Sequence, residues 1–217
     1  MSRTNPDPPN TPIDSPEKFA EAFDVSRETL AALQVYEDLL RRWQRVKNLV
    51  APDSLSNVWH LHFADSAQLL ALAPDARVWL DLGTGAGFPG LVLAIMLESD
   101  SAAKVHLVEA NGRKCAFLRD VARRTGAGVE IHNSRIESLG NERTLAGIDV
   151  VTARALAPLD RLMEYVGPYL LAGATGLFLK GRETGVAPTY PGATIRRHPS
   201  ITDREAAIIE VVGSQTH

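Results

Sequence analysis

The sequence predicts an α/β fold in which a doubly wound, mostly parallel sheet carries helices on both faces. Strand-like apolar runs alternate along the chain with helical segments, which is the order typical of βαβ units. A cluster of glycines directly follows the first of these strands. The 217 residues, of which 45% are hydrophobic, can bury one full core and leave no room for a second catalytic domain.

Two segments are predicted to precede the sheet. Residues 1–16 contain five prolines among small polar residues, a composition that cannot repay the entropy of ordering, and are predicted to form a mobile tail. Residues 17–74 are predicted to form a helical extension. Ser26 is a plausible N-cap for apolar side chains that recur every three or four residues, and a second helical stretch is expected at about 55–72.

Residues 75–213 are predicted to form the sheet domain. Its parallel strands are expected at about 78–82, 104–109, 129–132, 148–152 and 175–180, and its helices near 90–98, 112–125 and 158–171. Two final strands, at 194–198 and 206–212, are expected to close the sheet as an antiparallel edge. A ligand of such a sheet binds beyond the carboxyl ends of the strands, where Gly83, Glu109 and Arg154 are expected to emerge.

The glycine-rich segment predicts close approach of a ligand to bare backbone. Residues 78–90 read VWLDLGTGAGFPG and lead into an apolar helix. Glycine permits positive φ and presents no Cβ to a ligand. Asp81, just before the glycines, and Glu109, at the end of the next strand, supply acceptors at the same rim. This combination is typical of a site for a nucleoside with free hydroxyls.

Two cofactor classes fit this segment. Residues 85–90 match the G-x-G-x-x-G fingerprint of dinucleotide folds, and Glu109 lies near the expected ribose-binding position. Residues 81–87 match D-x-G-x-G-x-G, which resembles the first motif of class I S-adenosylmethionine-dependent methyltransferases. Pro89 removes a backbone N–H where a helix would receive phosphate, so the methyl donor is favoured. A glycine turn without a ligand stays open, whereas the missing Gly-Lys-Ser/Thr excludes a P-loop.

The amino-acid composition argues against disulfides, metal sites and membrane spans. The single cysteine, Cys115, rules out an intrachain disulfide and a thiolate zinc cluster. The longest apolar run, 91–97, is too short to cross a bilayer, and no signal pattern opens the chain, so a cytoplasmic protein without membrane attachment is expected. The six histidines show no metal-ligand spacing, and no metal is expected.

A longer series of motifs extends over residues 30–182. It comprises YEDLLRRW at 36–43, KNL at 47–49, HFADS at 62–66, the glycine segment through Leu91, RKCAFL at 113–118, RIE at 135–137, ARA at 153–155 and KG at 180–181. As an ordered set, these motifs resemble the bacterial ribosomal RNA small-subunit methyltransferase G family, also called GidB. The resemblance implies transfer of a methyl group from S-adenosylmethionine to N7 of one guanine, at position 527 of 16S ribosomal RNA.

The resemblance also implies site residues, which we carry over position by position. Cofactor contacts are implied at Gly83, Phe88, Ile136, Glu137 and Arg154. Asp81, Gly85 and Glu109 join them from the reading of the glycine segment and of the strand that follows it. Arg154, Lys180 and Arg182 are the residues expected to meet the RNA.

The implied chemistry asks for no general base. Guanine N7 carries a free lone pair and loses no proton on methylation, so in-line approach and site electrostatics can suffice. Residues 152–155 read TARA, which differs from the Asp/Asn-Pro-Pro-Tyr/Phe motif that resembles amine methyltransferases. No catalytic acid or base is therefore expected.

The charge of the chain neither indicates nor excludes an RNA partner. The net charge is −3, yet basic residues cluster at 41–47, 113–135 and 180–182, and a local patch suffices for phosphate contact. The expected partner is 16S ribosomal RNA, free or in the small ribosomal subunit, and a monomer is favoured. A methyltransferase acting on another RNA or on a small molecule, and an NAD-binding protein, are the alternatives.

Overall fold

The computed structural model describes residues 12–46, 48–141, 145–181 and 190–213. Seven strands form one sheet in the order β3-β2-β1-β4-β5-β7-β6. The strands are β1 Val78–Leu82, β2 Lys104–Val108, β3 Val129–His132, β4 Val150–Arg154, β5 Thr175–Lys180, β6 Ala193–Pro199 and β7 Ala207–Gly213. Strands β1 to β5 pair in parallel, whereas β7 pairs antiparallel with both β5 and β6. The predicted α/β fold and its antiparallel edge are confirmed.

The strand order places a crevice above β1 and β4. The chain moves outward from β1 to β2 and β3, then returns to the other side of β1 with β4. In a doubly wound sheet this reversal separates the loops at the carboxyl ends of the two central strands, and ligands bind there. Helices α4 Gly90–Met96, α5 Gly112–Thr125 and α6 Leu159–Leu171 form the crossovers.

Two serine-capped helices begin the described chain. Helix α1 is Pro16–Phe23 and α2 is Arg27–Gln44. The hydroxyl of Ser15 accepts a hydrogen bond from the Lys18 amide, and that of Ser26 accepts one from the Thr29 amide. These bonds satisfy amides that have no partner inside the helix. The predicted N-cap at Ser26 is confirmed.

The second helical stretch is irregular. It comprises a 3-10 turn Pro52–Asn57, a π-helical turn Trp59–Ala64, the short helix α3 Asp65–Ala67 and a 3-10 turn Gln68–Ala71. A regular helix was predicted at about 55–72 because its apolar spacing suits 3.6 residues per turn. Inserted π turns are frequent at functional sites, and this one carries His62.

The described part of the N-terminal segment differs from the predicted tail. Ile13 is only 3% exposed, and its backbone N–H donates to His60 Nδ1 at 3.2 Å. The segment therefore already packs against the fold before α1 begins at Pro16. Composition could not reveal this contact, because its partner lies 47 residues away. Residues 1–11 lie outside the described ranges.

The hydrophobic core has two layers, one on each face of the sheet. Trp79 faces the layer that holds the buried residues of α1, α2, α4 and α5, whereas Leu80 faces the layer under α6. Tyr36 and Trp43 of α2 contact the Phe117 ring of α5, with ring centroids 6.2 and 5.7 Å apart. The N-terminal helices therefore share a core with the sheet.

Candidate active site

The loop after β1 takes the backbone form that its glycines permit. Gly83, Gly85 and Gly87 have φ of 65°, 60° and 99°, in the left-handed region that favours glycine. Gly90, which ends the competing dinucleotide frame, is not among the residues with positive φ. The three glycines of the D-x-G-x-G-x-G frame therefore all occupy positions where a side chain would be strained.

The buried carboxylate of Asp81 holds the end of the glycine loop by hydrogen bonds. Its side chain is fully buried, with Oδ2 accepting from the Gly90 amide at 2.9 Å and Oδ1 accepting from the Thr152 hydroxyl at 2.8 Å. The first amide of α4 is therefore already bound to a carboxylate of the chain, and this end of the helix cannot offer that amide to a phosphate. Asp81 is absent from the residues that line the cavity described next.

Replacing Asp81 with Asn is expected to change how stability depends on pH. Burial raises the pKa of Asp81 from 3.8 to about 6 in the folded protein. Folding therefore favours the protonated acid, and this stabilisation is complete below pH 3.8 and lost as the pH rises through about 6. A shift of this size corresponds to about 3 kcal/mol. Urea unfolding between pH 4 and 7 should show wild type losing about this much stability relative to D81N. A constant difference between the two proteins would contradict the raised pKa.

A cavity of about 390 Å³ opens at the carboxyl ends of β1, β2 and β4. It brings together five of the predicted site residues, namely Gly83, Glu109, Ile136, Glu137 and Arg154. They lie at or after the ends of four different strands, β1 to β4, and the sheet order makes them neighbours. Their part in cofactor binding stays a prediction that this arrangement supports.

Glu109 is held in place by the loops around it. Its Oε2 accepts from the Gly85 amide at 3.0 Å and its Oε1 accepts from the Asn111 amide at 2.8 Å. Each carboxylate oxygen has a further lone pair for a ligand hydroxyl. Gly85 itself does not line the 390 Å³ cavity. Its amide instead holds the carboxylate of Glu109, which does line that cavity.

Two buried polar atoms of this cavity have no hydrogen-bond partner within the described chain. They are Ser134 Oγ and Arg154 Nη1. Buried polar groups in proteins are nearly always paired, so these two atoms indicate a bound water molecule or a polar ligand as their partner. Ser134 was not among the predicted site residues. Its position just after β3 was the signal in the sequence, since loops that follow parallel strands line the ligand crevice.

Phe88 lies in the core beside the cavity. Its ring stacks on Tyr36 with centroids 5.3 Å apart, and on His62 with centroids 4.7 Å apart. The side chain is 6% exposed and is not among those lining the cavity. The Tyr36 hydroxyl donates to the carbonyl of Ala86, so the same stack ties α2 to the glycine loop. The predicted contact of Phe88 with the cofactor is not visible in this arrangement.

Arg154 is positioned by the π-helical segment. Its Nη2 donates to His62 Nδ1 at 2.7 Å, and its Nη1 lies 3.6 Å from Asp65 Oδ2. Burial and the nearby guanidinium lower the pKa of His62 to about 3, so the ring is neutral. Because Nδ1 accepts from Arg154, Nε2 carries the proton and donates to Ser54 Oγ at 2.8 Å.

Burial raises the pKa of Asp65, an effect that Arg154 opposes. The carboxyl is fixed on one side only. Its Oδ1 accepts from the Thr202 hydroxyl and from the Gln68 amide group, each at 2.9 Å. The guanidinium and the carboxylate therefore stand next to each other with one atom of each still available for further hydrogen bonds.

The basic residues predicted to meet RNA have different surroundings. Lys180 Nζ donates to the Ala157 carbonyl at 2.6 Å near the end of β5. In the N-terminal cluster, Arg41 pairs with Glu37 at 2.6 Å, while Arg42 and Arg45 are exposed. Arg182 and Lys47 lie outside the described residues.

Three side chains that could hold a metal ion meet on β2 and β3. The ligand atoms of His106, Glu130 and His132 lie within 4.8 Å of one another. The sequence could not reveal this group, because its members belong to two strands paired in register. His106 Nδ1 and His132 Nε2 are 3.2 Å apart, so the two rings also satisfy each other as a hydrogen-bonded pair.

Comparison with known proteins yields a consistent group of relatives. A family model described as rRNA small subunit methyltransferase G, GidB, matches residues 29–186. A ribosomal RNA small subunit methyltransferase G of Methylorubrum populi is 53% identical over 192 residues, which cover 87% of this chain and 90% of that protein. Another, of Methylobacterium sp. strain 4-46, is 54% identical over 208 residues, which cover 92% and 95% respectively.

A solved structure shares the fold at low sequence identity. The crystal structure of a SAM dependent methyltransferase from Aquifex aeolicus superposes with a TM-score of 0.54 and 16% identity, covering 79% of this chain and 97% of that one. Among the described residues, no helix has the length and apolar character that crossing a membrane demands.

Proposed function

We propose, from the premise that this chain belongs to the rRNA small subunit methyltransferase G family, that it methylates N7 of the guanine at position 527 of 16S ribosomal RNA. The methyl donor is S-adenosylmethionine. The relatives are about half identical and are matched over nearly their whole length. The observation that carries the proposal is the cavity above β1 and β4, with a glycine loop on one side and two unpartnered polar atoms in its wall.

The residues of this cavity fit the parts of the donor. Glu109 offers carboxylate oxygens to the ribose hydroxyls, and the backbone at Ile136 and Glu137 can flank the adenine. Gly83 presents no Cβ where the amino acid end would lie, and Arg154, which lines the same cavity, is the cation for its carboxylate. When bound, S-adenosylmethionine supplies an electrophilic methyl group on a positively charged sulfur.

The chain's own contribution to the reaction is positioning. Guanine N7 needs no deprotonation, and the described residues that line the cavity include no histidine. Asp81 is bound to two donors beneath the loop, away from the cavity lining. What remains for the protein is to hold both reactants in line and to exclude water, which can supply a large part of a barrier reduction.

The substrate is proposed to be 16S ribosomal RNA, either free or assembled in the small ribosomal subunit. The exposed Arg42, in α2, and Arg45, just after it, support contact with phosphate, since a local basic patch suffices even on an acidic protein. We propose that the enzyme acts as a monomer in the cytoplasm, where ribosomal RNA is modified.

Tritium transfer from labelled S-adenosylmethionine should test the reaction. Naked 16S ribosomal RNA and small subunits, both from cells that lack this gene, serve as acceptors. We expect one labelled N7-methylguanine at position 527, located by reverse transcription and mass spectrometry. RNA from cells that carry the gene is the matched control and should accept no label there. Label in another RNA or in a small molecule, or binding of NAD without binding of S-adenosylhomocysteine, would contradict the proposal.

A further inference from the structure

A second cavity adjoins the first across Arg154. It has a volume of about 220 Å³, and its lining includes Leu61, Asp65, Lys180 and Thr202. Within the described chain, Arg154 and Ala155 are the two residues that line both cavities. Ala155 has a φ of 48°, a conformation that a non-glycine residue adopts at some energetic cost and that is typical of functional sites. Arg154 and Ala155, at the end of β4, therefore separate the two cavities.

The wall of the second cavity carries an acceptor beside a donor. Asp65 Oδ2 accepts no hydrogen bond from the described residues, although its side chain is only 15% exposed. The nearby Arg154 Nη1 is buried and also lacks a hydrogen-bond partner there. At 3.6 Å the two atoms are too far apart for a good hydrogen bond with each other. Each is therefore available to a ligand that presents a donor and an acceptor side by side.

Guanine presents such a pair. Its N1–H and 2-amino group are donors, and the adjacent O6 is an acceptor. One carboxylate oxygen has two lone pairs and can accept from both neighbouring N–H groups, while a guanidinium can donate to O6. Adenine presents an acceptor at N1 and a donor at N6, which is the opposite order. Enzymes that act on a base commonly bind it outside the stack and read its Watson–Crick edge with hydrogen bonds.

We propose that the second cavity is the guanine site and that Asp65 recognises the N1–H and 2-amino edge of the target base. This inference rests on the proposed function, since it assigns the acceptor for that reaction. A guanine held by this edge keeps N7, on the imidazole ring, free of hydrogen bonds. The Thr202 hydroxyl and the Gln68 amide fix Oδ1 of Asp65 and so leave Oδ2 for the base.

A substrate pair isolates this contact. Inosine lacks the 2-amino group but keeps N1–H, O6 and N7. Small subunits can be reconstituted with 16S ribosomal RNA that carries guanosine or inosine at position 527. The measured quantity is the ratio of the two methylation rates for each enzyme. A loss of active protein lowers both rates by the same factor. A purely structural defect therefore leaves their ratio unchanged.

Wild type is expected to prefer guanosine about tenfold or more, because inosine leaves a buried acceptor without its partner. In Asp65→Asn, a donor replaces the free acceptor, and the ratio should fall to near one. Affinity for S-adenosylhomocysteine, measured by calorimetry, should stay within about twofold. The control is Asp75→Asn, an exposed carboxylate ahead of β1, which should keep the wild-type ratio.

Thr202→Val provides a second variant in case D65N folds poorly. It removes one hydrogen bond that fixes Oδ1, so the ratio should decrease without reaching one. Retention of the full guanosine preference in both variants would overturn the assignment of Asp65 and leave the methyltransferase function standing. Failure of wild type to methylate the guanosine substrate would overturn both.

Discussion

Replacement of Gly87 by Ala is expected to destabilise the protein by about 3 kcal/mol or more and to abolish cofactor binding. Gly87 has a φ of 99°, and a Cβ there would lie 2.5 Å from the Tyr36 hydroxyl and 2.9 Å from Leu91 Cβ. Neither neighbour can move easily, because Tyr36 is fully buried and its hydroxyl donates to the Ala86 carbonyl. The glycine loop after β1 must therefore shift, and this displaces Gly83 from the wall of the 390 Å³ cavity. Urea unfolding and calorimetry with S-adenosylhomocysteine measure the two effects.

Gly128→Ala is the matched control. This glycine is exposed between α5 and β3, its φ is not positive, and a Cβ there would meet nothing within 4 Å. Because alanine has less freedom than glycine in the unfolded chain, the variant should be as stable as wild type or more stable by up to about 1 kcal/mol. Adding Tyr36→Phe to G87A removes the closest clash and should restore part of the loss, so the two changes will be non-additive. A G87A protein that unfolds like wild type would show that the loop is not constrained as described.

Replacement of Arg154 by Lys is expected to reduce methyl transfer at least about 100-fold while the fold is retained. The guanidinium spans both cavities, donates to His62 and stands beside Asp65. Lysine keeps a positive charge near Asp65 but lacks the planar fork that serves several partners at once. Arg154→Ala should lose activity and also stability, because it leaves a largely buried carboxylate without its cation.

Single-turnover rates with labelled donor, together with thermal melts, separate these effects. Arg77→Lys is the control, since Arg77 is exposed and pairs with Asp100 at 2.9 Å just before β1. That pair lies at the opposite end of the strand from the cavity, and exposed ion pairs contribute about 0–1 kcal/mol. The control should retain wild-type rates. A fully active R154K would mean that charge alone suffices at this position.

The fold was largely predictable because local patterns decided it. Strands β1, β3 and β5 and helix α5 have the predicted bounds, since short apolar runs and the segments between them mark these elements in the sequence. Strand β4 starts at Val150, two residues later than predicted. The apolar Ile148 extended the pattern, although ladder pairing begins only after it.

The site residues were predictable where the course of the backbone alone sets their position. Glycine positions and strand ends are readable in order along the chain, so Gly83, Glu109 and Arg154 could be placed at one edge. Side chains that meet through tertiary packing were not readable. Asp65 reaches Arg154 from a segment 89 residues earlier, by way of a π turn that breaks the helical period. Phe88 was read as a cavity wall because nothing local reveals that Tyr36 stacks on it.

The second cavity depends on residues that lie later in the chain than those of the first cavity. Ser200, Thr202 and Ala207, around the turn from β6 to β7, help to line it, whereas the first cavity is built from residues 83–165. Translation runs from the N-terminus, so a nascent chain holds every residue of the first cavity before the turn is synthesised. If the second cavity holds the base as proposed, the site for the methyl donor can therefore form before the site for the acceptor is complete.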